Sequence, residues 1–222
     1  FVAFARAFLD RTLGWWASPA RLRRLIRLSG AEHLTDRAGR PVILLAPHFV
    51  GLDAGGTMMT LTTPLVSVYS NQKNPIFDRV LLEGRLRFNR PILMSRLDGL
   101  RKAVRAMKAG YPFYYLPDMD FGPKESIFVP FFGVPAATIT GVSRLARLTG
   151  ACVVPCITRQ VASGYEVELL PAWDNYPGAS VEADTEVMNR FIESQVLTMP
   201  EQYFWVHKRF KTRPAGEPRY YQ

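Results

Sequence analysis

Short apolar runs, each closed by proline, glycine or a polar turn, alternate along this chain with longer stretches of helical periodicity. The runs are "PVILLAP" (41–47), "LVSVYS" (65–70), "PILMS" (91–95), "YPFYYLP" (111–117), "ACVVPCITRQ" (151–160) and "YEVELL" (165–170). They read as strands, and the continuous ones suit a sheet covered on both faces. Between them, residues 53–63 and "NPIFDRVLLEGRLRFN" (74–89) read as helices. In the second, Asn74 is the cap, Pro75 sits in the first turn, and Ile76, Val80 and Leu81 form the apolar face. "LDGLRKAVRAMKAG" (97–110), "TGVSRLARLTG" (140–150) and residues from about Asp184 to Met199 add three more. Upstream, "SPARLRRLIRLSG" (18–30) predicts a helix capped by Ser18 and ended at Gly30, with Leu22, Leu25 and Ile26 opposite Arg23, Arg24 and Arg27. Residues 1–30, with Phe1, Phe4, Phe8, Trp15 and Trp16, form an amphipathic N-terminal helical region. This alternation predicts an α/β fold: a single-domain sandwich over residues 1–222, its mostly parallel central sheet flanked by helices, with one or two antiparallel additions near "YEVELL".

Charge narrows the partners. The 28 Lys and Arg exceed the 19 Asp and Glu, a net charge of +9 that favours anionic lipid headgroups, phosphorylated substrates or nucleic acid. The basic residues are spread along the chain and do not interleave with aromatics as on a base-stacking platform, which argues against nucleic acid. Cys152 and Cys156 lie four apart on one predicted strand, roughly 13 Å between Cα atoms at ~3.3 Å per residue, too far for a disulfide. No His or Cys nearby completes a zinc set, so no metal site is expected. No run reaches the ~20 apolar residues of a membrane-spanning helix. The chain opens "FVAFARAFLD" without an initiating methionine, and a membrane anchor is expected upstream of it.

The stretch "LLAPHFVGLDAGG" (44–56) carries the candidate chemistry. Ligand sites in open α/β sheets form beyond the C-terminal ends of strands, and His48 sits there. Asp53 follows five residues later, where a bend in the chain lets it accept a hydrogen bond from one imidazole nitrogen and leaves the other to take a proton from a hydroxyl. The bare spacing also suits a structural histidine. There is no G-x-S-x-G elbow, P-loop or G-x-G-x-x-G motif. Of the other histidines, His33 precedes a turn and His207, in "FWVHKRFK", reads as structural although it could approach the site.

Four segments, "PHFVGLDAGG", "NPIFDRVLLEGRLRFN", "YYLPDMDFGPKESIFVPFFGVPAATITGVSRLARLTGACVVP" and "PEQYFWVHKRFKTRP", resemble in order and over nearly the whole chain the lipid A biosynthesis late acyltransferases, within the His-x4-Asp/Glu glycerolipid acyltransferase superfamily. The resemblance implies a glycerolipid acyltransferase-like fold and His48 as general base oriented by Asp53, a position where well-known members carry glutamate. Pro47 stands where many members carry Asn. It also implies a substrate-binding arginine, for which Arg85 is preferred over Arg87. In the third block Asp118 would bond sugar hydroxyls, Asp120 would help position substrate, and Lys124 would meet phosphate; a plain turn with a local salt bridge is the alternative. Phe128, Phe131 and Phe132 suit either an acyl groove or core packing, and Arg159 could face the same site. Lys208, Arg209, Lys211 and Arg213 suit a phosphate or an acidic carrier surface. The implied reaction is direct transfer of a fatty acyl chain from acyl carrier protein (or acyl-CoA) to a hydroxyl of a phosphorylated glycolipid acceptor, without cofactor, at an anionic membrane surface on the cytoplasmic face of the bacterial inner membrane. The alternatives are a glycerolipid, ornithine-lipid or glycolipid acceptor, or a non-catalytic basic lipid-binding protein.

Overall fold

A computed structural model of the chain describes residues 1–36, 39–95 and 99–221. The apolar runs form the centre of a seven-stranded sheet: β1 (Ile26–Ser29), β2 (Val42–Leu45), β3 (Val66–Tyr69), β4 (Ile92–Ser95), β5 (Phe113–Tyr115), then β8 (Cys152–Val161) and β9 (Gly164–Leu169), in the spatial order β1-β9-β8-β2-β5-β3-β4. Every neighbouring pair is parallel except β8–β9, the antiparallel addition expected at "YEVELL". Helices α1 (Val2–Trp16), α2 (Pro19–Leu25), α3 (Leu52–Thr62) and α4 (Pro75–Arg85) precede α5 (Leu100–Lys108), α6 (Gly141–Thr149) and α7 (Val181–Thr198). Leu97 and Asp98, at the expected start of α5, lie outside the described residues.

Strand periodicity divides the core between the two sheet faces. Ile43 and Leu45 of β2 join Phe113, Val153 and Ile157 against α5, α6 and α7, where Met107, Leu145 and Ile192 are also buried. Val42 and Leu44 point the other way, with Tyr114, Val154 and Cys156, against Leu22, Met58 and Met59. All four β2 side chains are at most 1% exposed. At roughly 1.5–3 kcal/mol for each fully buried aliphatic side chain, this double coverage holds the strand that carries the candidate base. Cys152 and Cys156 are free and buried, and burial pushes the Cys156 thiol up to about 12.

Two segments depart from the sequence reading. The helix predicted over 18–30 stops at Leu25, and Ile26–Ser29 becomes an edge strand parallel to β9. "IRLS" satisfies both periods: Ile26 continues the Leu22 face of a helix, yet Ile26 and Leu28 also alternate with exposed Arg27 and Ser29. The open backbone edge of β9 selects the strand. Residues 126–139, read only as an unusually apolar segment, form the antiparallel hairpin β6 (Ser126–Phe131) and β7 (Val134–Ile139), which packs on α7.

Candidate active site

Strands β2 and β5 lie side by side with Leu45 paired to Tyr115, and each runs through a proline into a polar residue three positions on: Ala46-Pro47-His48 and Leu116-Pro117-Asp118. The register therefore delivers His48 and Asp118 to the same place. The His48 backbone N–H donates to Asp118 Oδ2 at 2.9 Å, and His48 Nδ1 lies 2.7 Å from Oδ1. This two-point clamp fixes the ring and its tautomer, since a carboxylate on Nδ1 calls for Nδ1–H and leaves Nε2 as the acceptor. Asp118 is 0% exposed. Burial alone would raise its pKa, but the charge and hydrogen bonds of His48, with His207 nearby, hold it well below the usual carboxylate range.

The carboxylate on His48 is thus Asp118, not Asp53. Asp53 lies in the first turn of α3, just after the cap residue Gly51, and its carboxylate is held by residues of two other helices. Arg85, in the last turn of α4, donates from Nη2 to Asp53 Oδ1 at 2.7 Å, and Arg11 of α1 places Nε 2.6 Å from Oδ2. Against the opposing effect of burial, the two guanidinium groups lower the Asp53 pKa. Helix α3 sits close enough to the sheet for this because Gly55 faces Thr158; a Cβ there would stand 2.2 Å from Thr158 Oγ1.

His48, Asp53, Arg85 and Arg11 all line one cavity of about 920 Å³. Helix α1 forms part of its wall, and Lys124 and Arg144 supply further cations. The cavity is also lined by β3, β4 and the end of α4. Odd-numbered residues of the paired strands β3 and β4 share one face, so Leu65 and Ser67 lie beside Pro91 and Leu93, with Gly56 and Thr60 of α3 also lining the space. Asn89 Nδ2 donates to Thr60 O at 2.7 Å and ties the loop after α4 to α3.

A C-terminal segment braces the histidine from behind. Val50 N–H donates to Gln202 O and Phe204 N–H to His48 O, both at 2.8 Å, and Phe49 pairs with Tyr203. The His207 ring packs edge-on to that of His48, with centroids 5.8 Å apart. Both its nitrogens are buried without a hydrogen-bond partner among the described residues. Burial, working against the attraction of Asp118, pushes the His207 pKa down to about 4, so the ring is neutral.

The remaining predicted residues divide. Arg85 and Lys124 line the cavity. Asp118 does not face a sugar; both its oxygens serve His48. Asp120 is a structural acceptor, taking Gly122 N–H and both the N–H and hydroxyl of Thr212. Arg159 belongs to a different face: strand alternation turns Thr158 toward α3 and Arg159 toward α7, where it bonds Thr198 Oγ1 and Gln195 Oε1. The three phenylalanines do not line this cavity. Phe131 is buried in the core, while Phe128 and Phe132 are each 39% exposed on the outer side of the β6–β7 hairpin. Of the C-terminal basic cluster, Arg209 is fully buried against Ala137 O and Thr138, and Arg213 bonds Pro135 O. Arg87 bonds the carbonyls of Gly14 and Ala17 and so ties α1 to α4. Sequence reasoning missed Arg11, which had no local signal; the repeated Pro-His and Pro-Asp strand ends were the available signal for Asp118.

Residues 1–212 match the family model for the bacterial lipid A biosynthesis acyltransferase. The chain belongs to this family. Among curated relatives, the acyltransferase is 36% identical to the lipid A biosynthesis lauroyltransferase of Escherichia coli K12 over 226 residues, spanning all of this chain and 73% of the relative. It is 34% identical to the palmitoleoyltransferase of the same organism with the same coverage, and 32% identical to the myristoyltransferase over 90% of this chain and 63% of that one. Among solved structures, the 1-acyl-sn-glycerophosphate acyltransferase of Thermotoga maritima aligns over 87% of the acyltransferase and 79% of its own chain, at 15% identity and a TM-score of 0.49.

Proposed function

We propose that this acyltransferase moves a fatty acyl chain from the thioester of acyl carrier protein to a hydroxyl of a lipid A precursor, with His48 as general base, Asp118 as its orienting carboxylate and no covalent enzyme intermediate. The observation that carries the reading is the two-point clamp of His48 by a fully buried Asp118 at a cavity lined by both cations and apolar side chains. His48 Nε2 takes the proton of the acceptor hydroxyl as its oxygen attacks the thioester carbonyl. The imidazolium that forms is stabilised by Asp118. The tetrahedral oxyanion finds donors in the first-turn N–H groups of α3 and in the Arg85 guanidinium; Arg85 and Arg11 together leave the Asp53 cluster one positive charge in surplus. The C–S bond breaks, and the departing thiolate takes the proton from His48.

The apolar part of the cavity at β3 and β4 takes the acyl chain, a role that Phe128, Phe131 and Phe132 do not fill. Lys124 and Arg144 suit the phosphates of the acceptor. Attachment to the cytoplasmic face of the inner membrane is supported by Val2, Phe8 and Leu9, exposed along α1, and by exposed Arg21, Arg24 and Arg27 nearby. Among the described residues no helix is long and apolar enough to cross a membrane. The test follows labelled acyl groups from carrier-protein and CoA thioesters onto a lipid A precursor. Transfer from the carrier protein, lowered by ~10²–10⁴ in His48→Ala, with no acylated enzyme in quenched mass spectra, is the expected result. Undiminished transfer by His48→Ala rules the mechanism out.

A further inference from the structure

Asp53 is held from two directions, and only one of its partners comes from the sheet-and-helix body that carries His48. Arg85 ends α4, while Arg11 projects from α1 near the start of the chain, 42 residues before the carboxylate it meets. The side chains of this trio remain partly open to the cavity, at 24% for Arg11, 33% for Arg85 and 19% for Asp53.

Helix α1 is fastened at several points. Trp15 fills the notch left by Gly84 of α4, where a Cβ would come within 2.1 Å of the ring, and its ring also packs edge-on to Phe77 at 6.0 Å. Arg87 reaches back to two carbonyls of α1 and its end. On the other flank Tyr165 Oη donates to Asp10 Oδ2 at 2.8 Å. These fastenings set the depth of α1 over the cavity, and with it the position of the Arg11 guanidinium.

We infer that Arg11 is a positioning residue of the active site: it holds the second oxygen of Asp53, so that Asp53 presents Arg85 to the reacting groups in one orientation, and α1 thereby completes the site. A carboxylate bonded to Arg85 alone has its second oxygen free to rotate toward water or toward the other guanidinium nitrogen; the second cation removes that freedom. The arrangement also leaves the trio with one positive charge beyond neutrality, in the cavity that His48 lines. This inference rests on the reading that acyl transfer takes place at His48.

The experiment measures acyl transfer to a lipid A precursor by full-length chain carrying Arg11→Ala, Asp53→Asn, both together, Arg11→Lys, Gly84→Ala or His48→Ala, with thermal melting to confirm folding. Arg11→Ala is expected to lower kcat/KM by about tenfold to 100-fold, the scale of a displaced catalytic group, chiefly through kcat. Partial recovery is expected in Arg11→Lys and on adding guanidinium ion to Arg11→Ala. In the Asp53→Asn background the loss of Arg11 should add little, because its effect passes through that carboxylate. Gly84→Ala keeps every charge and pushes Trp15 outward, so it should reproduce the defect and carries the test if Arg11→Ala does not fold. Normal transfer in Arg11→Ala, or losses that multiply in the double variant, overturns the inference. Abolished transfer in His48→Ala beside normal transfer in Arg11→Ala removes only the role of Arg11. Normal transfer in His48→Ala removes the reading of the site itself.

Discussion

Asp53 lines the cavity directly and Asp118 acts on it only through His48, and their surroundings give them opposite work. Asp118 is fully buried, and its near partner is an imidazole that can be neutral or charged. The pair carries a charge of −1 or 0 according to the state of the ring. Asp53 is partly open and binds two guanidinium groups, which never lose their protons. That trio carries a fixed +1. One half of the site is therefore electrostatically suited to receiving a proton and the other to facing an anion, whether the oxyanion of the tetrahedral intermediate or a substrate phosphate. The contrast teaches that a carboxylate's role follows from its neighbours rather than from its spacing to a histidine.

The sharpest break of this comparison is Asp118→Asn. It leaves an amide on Nδ1, which removes the charge that favours imidazolium and the preference for one tautomer. We expect a ~10²–10⁴ loss in kcat with little change in KM, measured by steady-state transfer. Asp53→Asn should cost less, about 10–100-fold, and should appear in KM for the anionic substrate as well as in kcat, because it loosens Arg85 without touching His48. Equal kinetic signatures for the two variants would erase the division drawn here.

Leu93→Phe probes the apolar part of the cavity at β3 and β4. It should raise the ratio of kcat/KM for short over long acyl donors by about tenfold or more for each methylene excluded. Phe128→Ala, on the exposed face of the β6–β7 hairpin, should leave that ratio unchanged. A shift produced by Phe128→Ala and not by Leu93→Phe would return the acyl chain to the hairpin.

The smallest effect concerns stability behind His48. His207 titrates at about 4 in the folded protein against an ordinary value of 6.5. Between these values the unfolded chain binds a proton that the folded one refuses, so stability falls as pH drops from about 6.5 to about 4 and levels off below. At most about 3 kcal/mol is at stake. Denaturant melts across this range should show the decline, and His207→Phe should flatten it.

Much of the architecture was legible in one dimension because its causes are local. Apolar runs closed by proline or by polar residues gave β2, β3, β4 and β5, and Asn74 with Pro75 marked the start of α4, where Asn74 Oδ1 does accept from Ile76 and Phe77. The same locality misled at Ile26–Ser29, whose four side chains satisfy two periods at once and whose strand pairing is decided by an edge more than 130 residues away.

Chain order was enough to place His48 beyond the end of a buried strand, since strand, proline and histidine are consecutive. Its partner was a different matter. Asp53 is close along the chain but bonds Arg85 and Arg11 instead, whereas Asp118, 70 residues on, is brought to the ring by the register of β2 against β5. Arg11 reaches Asp53 through the packing of α1 on α4 through Trp15 and Gly84, and Phe131 and Arg159 are withdrawn by strand alternation. Hydrogen bonds and ion pairs act over a few ångströms of space, and only the folded packing of distant segments sets those distances.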